Sequence, residues 1–284
     1  MMKFSRSSAL VHTTRKVLFY SVVFAIFVLI SFPIFWAILC SLKTHQEMFT
    51  VPLKIIPSTL TIVHYKKVWL STQVPRFFLN SLIVATGSSL LTVFIASLAA
   101  YSLTRFPFPG IGVAARSVLF CYMLPPVLLI VPFFIMLHRV HMLNTRIGLM
   151  FCHSGLTLPF TIWLFWGFFR TISLDIEEAA KIDGASRMRI LADIFFPLAI
   201  PGVIAGLMYS FIVSWSDYLI SSVVMTSEET KTMPAAINAL ASRDWISWEV
   251  VLPAMGLATL PVLIMVIVLQ KYLVEGFSAP VVKG

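Results

Sequence analysis

Few side chains in this chain could carry out acid–base or metal chemistry, and those few are scattered. Asp217 is the only acidic residue inside a long apolar stretch. His138 and His141 stand three residues apart, but a metal site would need further ligands nearby. His153 is alone in another apolar stretch, where a hydrogen bond to a neighbouring helix is its expected role. We therefore predict no catalytic site and no bound metal.

The sequence also lacks the motifs that would let this chain use ATP or a proton gradient by itself. It contains no G-x-x-x-x-G-K-[ST] loop for cradling nucleotide phosphates. A proton-driven transporter would need several acidic or histidine side chains as a relay, and one acid in the apolar stretches is too few. A separate protein that supplies the energy would fit both absences.

A charged segment from Leu174 to Pro197 separates two long apolar stretches, and it is the best candidate for contact with a partner in water. With Arg170 included, its net charge is −1, which suits a groove on a protein better than an anionic lipid surface. The charges are Arg170, Lys181, Arg187 and Arg189 against Asp175, Glu177, Glu178, Asp183 and Asp193.

Capping and turn residues predict how this segment folds. Asp175 can cap the start of a helix, and Glu178 stands where it would complete a capping box. Gly184 can adopt the left-handed conformation that ends a helix. Ser186 can then cap a second short helix over 188–193. The prediction is a helix, a tight turn and a second helix before the chain re-enters an apolar stretch.

Composition places the rest of the chain in a membrane. Of the 284 residues, 59% are hydrophobic and 12% are charged, whereas soluble domains carry about 25% charged residues. The net charge of +9 does not indicate nucleic-acid binding, because the basic residues are scattered between apolar stretches. The three cysteines, all in apolar stretches, are expected to be small buried hydrophobes.

Six apolar stretches are long enough to cross a bilayer, which takes roughly 20 residues. They are continuously apolar rather than alternating, so helices are expected and a β-barrel is not. The first is longer than the apolar region of a signal peptide and is predicted to remain uncleaved. The predicted division is a tail over 1–16, a helical domain over 17–270 with stretches at about 17–40, 77–103, 117–137, 147–169, 196–225 and 250–270, a loop over 170–195 and a tail over 271–284.

Six crossings put both ends of the chain on one side. Lys and Arg are modestly more numerous on the side that holds both tails and the 170–195 loop. The positive-inside rule therefore favours a cytoplasmic location for these three segments.

One set of residues in the charged segment has a distinctive spacing: Glu178, Ala179, Ala180, Asp183, Gly184, Ala185, Ile194 and Pro197. In these residues the segment resembles the EAA loop of bacterial ABC-importer permeases. The resemblance implies a type I ABC-importer permease fold, in which a short cytoplasmic coupling helix docks onto an ATPase, and it implies a coupling role for these residues. Phe196 is a departure, since the family prefers Leu before the final Pro.

Further short elements extend the match along the chain: Asn80-Ser81-Leu82, Ala100-Tyr101, Arg105 to Gly110, Leu124-Pro125-Pro126, Trp215-Ser216-Asp217-Tyr218 and Gln270-Lys271-Tyr272. They resemble the carbohydrate-uptake, MalG-like branch of this family. This branch implies a C-terminal tail that reaches the ATPase, here through Val282, Lys283 and Gly284. Ser216 and Pro280 depart from the Asn and Gly that the family usually has.

The resemblance also implies a set of partners in a bacterial inner membrane. These are a homologous second permease, two ATPase subunits that carry ATP and Mg²⁺, and an extracytoplasmic solute-binding protein. No cofactor is expected in this chain, and no nucleic-acid partner. The implied cargo is a sugar.

Two questions stay open at the level of sequence. The cargo could instead be a glycerol-phosphate, a polyamine or another solute, although an anion would favour basic residues in a span and a cation several acids. A membrane enzyme or scaffold is a more remote alternative. The second question is the solute path: Asn80, Trp215, Asp217 and Tyr218 either line it, or serve as interfacial anchors and helix–helix bonds.

Overall fold

The computed structural model describes residues 4–52, 54–106, 109–242 and 247–278, with side-chain detail from 15 to 272. Within these residues the structure is helical and contains no strand. The helices are α1 (Phe4–Ser41), α2 (His45–Met48), α3 (Val63–Ser71), α4 (Val74–Arg105), α5 (Ile111–Tyr122), α6 (Pro126–Arg139), α7 (Arg146–Phe169), α8 (Leu174–Ile182), α9 (Arg187–Ile190), a π-helical turn (Leu191–Phe195), α10 (Phe196–Leu198), α11 (Ile200–Ser216), α12 (Leu219–Val224), α13 (Met233–Ala241) and α14 (Trp248–Ser278).

Four of the described helices are long and apolar enough to cross a membrane as single rods. Two bent pairs pass the same test, so the number of crossings rises to six if each pair forms one span. The single rods are Arg15–Ser41, Val74–Arg105, Arg146–Phe169 and Trp248–Tyr272. The pairs are Ile111–Tyr122 with Pro126–Arg139, bent by 100°, and Arg187–Leu198 with Ile200–Ser216, bent by 87°.

The stretches at 117–137 and 196–225 are each interrupted, where the sequence pattern suggested continuous helices. In the first, α6 starts at Pro126, whose ring and missing N–H prevent it from continuing α5. In the second, Ala199 separates α10 from α11, and Asp217 is extended between α11 and α12 (φ −67°, ψ 125°). Apolar composition alone does not reveal such breaks.

The described residues group into two compact units, one made of the chain up to Ser71 with Ser247–Leu257 and the other of Thr72–Ile246 with the chain from Ala258. Polar contacts hold the first unit together. The hydroxyls of Ser41 and Tyr65 lie 2.7 Å apart. The Glu249 carboxylate pairs with His45 and, at 3.3 Å, with the Lys67 ammonium.

The second unit is built on α4, which packs along both α7 and α11. Small and hydroxyl-bearing residues let these helices approach closely, as is usual for helices in a membrane. The Thr92 and Thr157 hydroxyls lie 2.9 Å apart, and Ser154 donates to the Ser88 carbonyl at 3.1 Å. Gly206 of α11 is buried against the Phe165 ring of α7.

Each end of α7 has its own buried apolar cluster. Near Phe169 the cluster includes Tyr101, Ile190 and Phe195, so it joins α4, α7 and the 170–195 loop. At the other end Leu149 packs with residues of α4, α6 and α12. With 24 residues, α7 is about 36 Å long at 1.5 Å per residue, which is enough to cross a bilayer.

Candidate functional site

The 170–195 segment, called the charged loop from here on, begins with a capped helix. The Ser173 Oγ accepts a hydrogen bond from the Asp175 N–H at 3.2 Å, and α8 starts at Leu174. The predicted capping box on Asp175 and Glu178 is therefore wrong. Ser173 occupies the N-cap position two residues earlier, because its hydroxyl reaches the free N–H groups of the first turn.

The turn after α8 forms as its residues predict. Gly184 has a φ of +79°, in the left-handed region that glycine adopts without strain, so this prediction is confirmed. The Ala185 N–H donates to the Ala180 carbonyl at 3.0 Å and closes the turn. The Ser186 Oγ accepts from the Arg189 N–H at 3.3 Å and caps α9, which confirms its predicted role.

Between α8 and the π-helical turn the charged loop forms a cleft of about 250 Å³. Four of the predicted coupling residues meet there: Ala180, Asp183, Ala185 and Ile194 line the cleft together with Arg189, Ile190 and Asp193. Its walls are largely small or aliphatic, and its acidic groups stand at 183 and 193. The surface can therefore accept a projecting side chain from another protein.

The other predicted coupling residues lie outside this cleft. Glu178 and Ala179 are exposed on the outward side of α8, and Gly184 is exposed at the tip of the turn. Pro197 is exposed in α10, beyond the π-helical turn. The loop thus presents one continuous exposed surface around α8 and one recess beside it.

A buried ionic network under α8 was not recognised from the sequence. Glu177 is 3% exposed, and its carboxylate Oε2 lies 2.7 Å from the Arg105 Nε at the end of α4. The other oxygen, Oε1, pairs with the Lys181 ammonium at 2.7 Å and accepts from the Tyr101 hydroxyl at 3.2 Å. Arg105 Nη2 also donates to the Ile172 carbonyl at 2.6 Å.

Only part of this network has a signal in the sequence. Lys181 follows Glu177 by four residues, a spacing that pairs side chains on one helix face. Arg105 and Tyr101 lie far away in the sequence, so their convergence on Glu177 depends on the tertiary packing of α4. Glu178, the acid of the Glu-Ala-Ala motif, is the exposed neighbour of the buried acid.

Aromatic packing attaches the π-helical turn of the charged loop to the ends of α4 and α7. Phe195 of the π-helical turn is fully buried, and its ring meets Tyr101 edge-on at 4.9 Å and Phe169 edge-on at 5.2 Å. The Arg105 guanidinium lies 5.0 Å from the centre of the Phe195 ring. Both arms of the loop are therefore attached to the ends of α4 and α7.

At the opposite end of α7, Asp217 joins two helices. Its Oδ2 accepts from the Ser221 N–H at 2.8 Å and the Ser221 hydroxyl at 2.9 Å, so it caps α12. His153 Nε2 lies 3.1 Å from the same oxygen, and His153 Nδ1 lies 2.6 Å from the Ser214 hydroxyl. The expected bond from His153 to another helix is confirmed.

Asn80 is buried and uses its whole amide group for structure. Its Nδ2 donates to the carbonyls of Glu229 and Lys231, both at 3.0 Å. Its Oδ1 accepts from Arg146 Nε at 3.0 Å. Asn80 therefore fastens the segment before α13 to α4 and α7.

The remaining two residues of the predicted solute path differ in exposure. Trp215 is 4% exposed, and its indole N–H donates to the Ala258 carbonyl at 2.9 Å. Tyr218 is 39% exposed and lines a second cleft of about 250 Å³ with Ser222, Asn238 and other residues of α12 and α13. Of the four predicted residues, Tyr218 is the one on an open surface.

Two further expectations concern the tail and metals. The predicted ATPase contacts at Val282, Lys283 and Gly284 lie outside the described residues. Among the residues searched, which are those the structure describes, no group of three or more His, Cys, Asp or Glu residues could hold a metal ion.

Comparison with known sequences identifies the family. The chain belongs to the binding-protein-dependent transport system inner membrane components, whose family pattern matches residues 92–278. It is therefore a membrane permease component of a transport system, and the prediction of an ABC-importer permease is confirmed.

Named relatives cover most of the chain. It is 34% identical over 263 residues to the inner membrane ABC transporter permease protein YcjP of Escherichia coli, which covers 92% of this chain and 94% of that protein. It is 32% identical over 256 residues to the trehalose/maltose transport system permease protein MalG of Thermococcus litoralis, covering 89% and 91% of the two chains.

Solved structures show the same fold. A chain of a bacterial ABC transporter involved in the import of the acidic polysaccharide alginate superposes with a TM-score of 0.79 at 21% identity, covering 96% of this chain and all of the other. The predicted all-helical, ABC-importer permease fold is confirmed by this match.

Proposed function

We propose that this chain is one of two permease subunits of a sugar importer whose ATP is hydrolysed by separate ATPase subunits. Each permease takes one ATPase on its charged loop, and ATP and Mg²⁺ are held by the ATPases. A solute-binding protein delivers the sugar on the opposite face. This chain itself forms part of the solute path and provides the charged loop that couples the path to the ATPase, and it contributes no catalytic group.

The shape of the charged loop is the observation that carries this proposal. α8 and the Gly184 turn present exposed residues, while Glu177 and Phe195 anchor the loop from beneath. The small Ala179 and Ala180 side chains allow another backbone to come close. A connecting loop with no partner would need neither this firm anchoring nor the recess beside α8.

Alternating access follows from that arrangement. When two ATPases close on ATP, each pushes the loop docked on it, and the packed ends of α4 and α7 move with the loop. Closure at that end would accompany opening at the end that holds His153 and Asp217. The importer would then switch between inward-open and outward-open states.

This mechanism needs the charged loop in the cytoplasm, together with both ends of the chain. The excess of Lys and Arg on that side supports the orientation. The cleft at Tyr218 and the segment fastened by Asn80 would then face the exterior, where the solute-binding protein arrives.

A neutral sugar is the cargo that the chain supports best. The apolar stretches contain no Lys or Arg that would bind a phosphate, and Asp217 is the only acid in them. The Tyr218 ring and hydroxyl are exposed and suit a carbohydrate better than an ion. Among the relatives, a diacetylchitobiose uptake permease of Streptomyces coelicolor is 30% identical over 253 residues.

Gly184→Val tests the docking of the ATPase. A β-branched residue cannot hold a φ of +79° without strain, so the turn after α8 should distort. We expect normal membrane insertion but little co-purified ATPase. Gly110→Val is the matched control, because Gly110 has a φ of +94° and an added Cβ would likewise meet nothing within 4 Å.

The comparison gives a clear decision. Loss of the ATPase in Gly184→Val alone supports the proposed docking site. A normal amount of ATPase with Gly184→Val, or equal loss in both variants, contradicts it.

A further inference from the structure

We propose that the buried pair of Arg105 and Glu177 is the joint that makes α4 move with the charged loop. Both are then positioning residues for energy coupling, although the ATPase itself would touch the exposed surface of α8. This inference rests on the proposed function, since it needs an ATPase that pushes on the loop.

The first argument is that these two charges cannot easily separate. The side chains of Arg105 and Glu177 are 7% and 4% exposed, and 2.7 Å separates Nε from Oε2. Pulling them apart would leave an uncompensated charge in a poorly hydrated place, which is far more costly than breaking an exposed pair. The Arg189–Asp193 pair on the same loop is 74% and 61% exposed and imposes no such constraint.

The second argument is that both arms of the loop have attachments to the same turn and a half of α4. Glu177 contacts Tyr101 and Arg105, and the carbonyl of Ile172, just before α8, accepts from Arg105. On the other arm, Phe195 packs on Tyr101 and lies under the Arg105 guanidinium. A displacement of α8 must therefore carry the end of α4 with it.

The covalent route from the loop toward α11 is less direct. The chain leaves α9 through the π-helical turn and bends by 87° before it enters α11. π-helical turns often occur at functional positions, because they interrupt the regular helix ladder. The side-chain joint to α4 is a more direct connection to the helical core than this bent route.

The third argument is that stability alone does not explain a buried pair of this kind. A well-packed apolar pair in the same place usually serves stability as well or better. What an ion pair adds is direction, because the two oxygens of Glu177 meet Arg105 and Tyr101, which are separate points on α4. The network fixes the rotation of α8 as well as its position.

The experiment measures whether α8 and α4 move as one body. Spin labels are placed at Leu174→Cys and Phe94→Cys, both exposed positions, in a chain whose native cysteines are replaced. The complete importer, with its second permease and its ATPases, is studied without nucleotide and after trapping with Mg-ATP and vanadate. The distance between the labels is measured by pulsed electron paramagnetic resonance.

The native pair should keep the same label distance in both states. Glu177→Gln should give distances that differ between the states, because the joint no longer transmits the movement. The double variant Arg105→Gln with Glu177→Gln removes the stranded charge, so it should recover normal assembly with the ATPase. It should still show the change in distance, and it should hydrolyse about fivefold more ATP per solute imported.

Arg76→Gln is the control for the loss of an ion pair elsewhere. It breaks the exposed pair with Glu229, in which Nη2 and Oε2 lie 3.2 Å apart, and it should behave as the native chain. The proposal would be overturned if the label distance changed in the native chain. It would also be overturned if the distance stayed unchanged in both Glu177→Gln and the double variant, or if the double variant failed to assemble. If no ATPase co-purifies with the native chain, the proposed function itself fails.

Discussion

Asp217 shows how a single charged residue can hold a break between membrane helices. The chain is extended there, so the first N–H groups of α12 have no helical partners and the carboxylate supplies one. The same carboxylate satisfies His153, which is fully buried in α7. Asp217 is therefore part of the framework, whatever contact it makes with a solute.

Replacing Asp217 should consequently reduce stability. In Asp217→Ala the cap of α12 is lost and His153 loses one partner, so we expect the free energy of unfolding to fall by about 2–4 kcal/mol. The measurement is the unfolding of the purified chain in detergent. Ser216→Ala is the control, because among the described residues the exposed Ser216 hydroxyl bonds to the Ile212 and Val213 carbonyls of its own helix. Equal stability of the two variants would show that the carboxylate is not structural.

At the scale of helices, the packing of α11 on α7 depends on Gly206 having no side chain. A Cβ on Gly206 would lie 2.7 Å from the Phe165 ring and 3.0 Å from the Thr161 methyl group. Phe165 is 1% exposed and has little room to move aside. A Cβ on Gly167, in contrast, would meet nothing within 4 Å.

This contrast predicts opposite effects for the same chemical change. Alanine favours a helix by about 1 kcal/mol over glycine, so Gly167→Ala should be neutral or stabilising. In Gly206→Ala the clash should outweigh that gain and lower stability by about 1–3 kcal/mol. Unfolding of both variants in detergent decides the matter. A Gly206→Ala variant as stable as Gly167→Ala would mean that the two helices are less tightly packed than described.

Local signals in the sequence foretold only part of this architecture. The Gly184 turn and the Ser186 cap were predictable, because glycine and serine act through their own or adjacent backbone groups. The pairing of Glu177 with Arg105 was not, because it depends on how α4 packs against the loop. The breaks at Ala199 and Asp217 were also missed, since both lie in a continuously apolar stretch.

For the molecule as a whole, the proposed function requires that the two ends of α7 lie on opposite sides of the membrane. The charged loop is at one end and the His153–Asp217 contact is near the other, along a helix of about 36 Å. In the proposed importer, an ATPase in the cytoplasm and a solute-binding protein outside would then act on opposite ends of the same helix. The two surfaces would have no such relation if the loop faced the exterior.

The side of the membrane that the charged loop faces is therefore the most direct test. Ile182→Cys, in a chain without its native cysteines, places a thiol at the end of α8, where the native side chain is 86% exposed. Thr226→Cys places one at the opposite end, in the exposed segment after α12. A membrane-impermeant maleimide should label position 182 only in inverted vesicles and position 226 only in intact spheroplasts. Labelling of position 182 from outside the cell would contradict the account, because the loop could then never meet an ATPase.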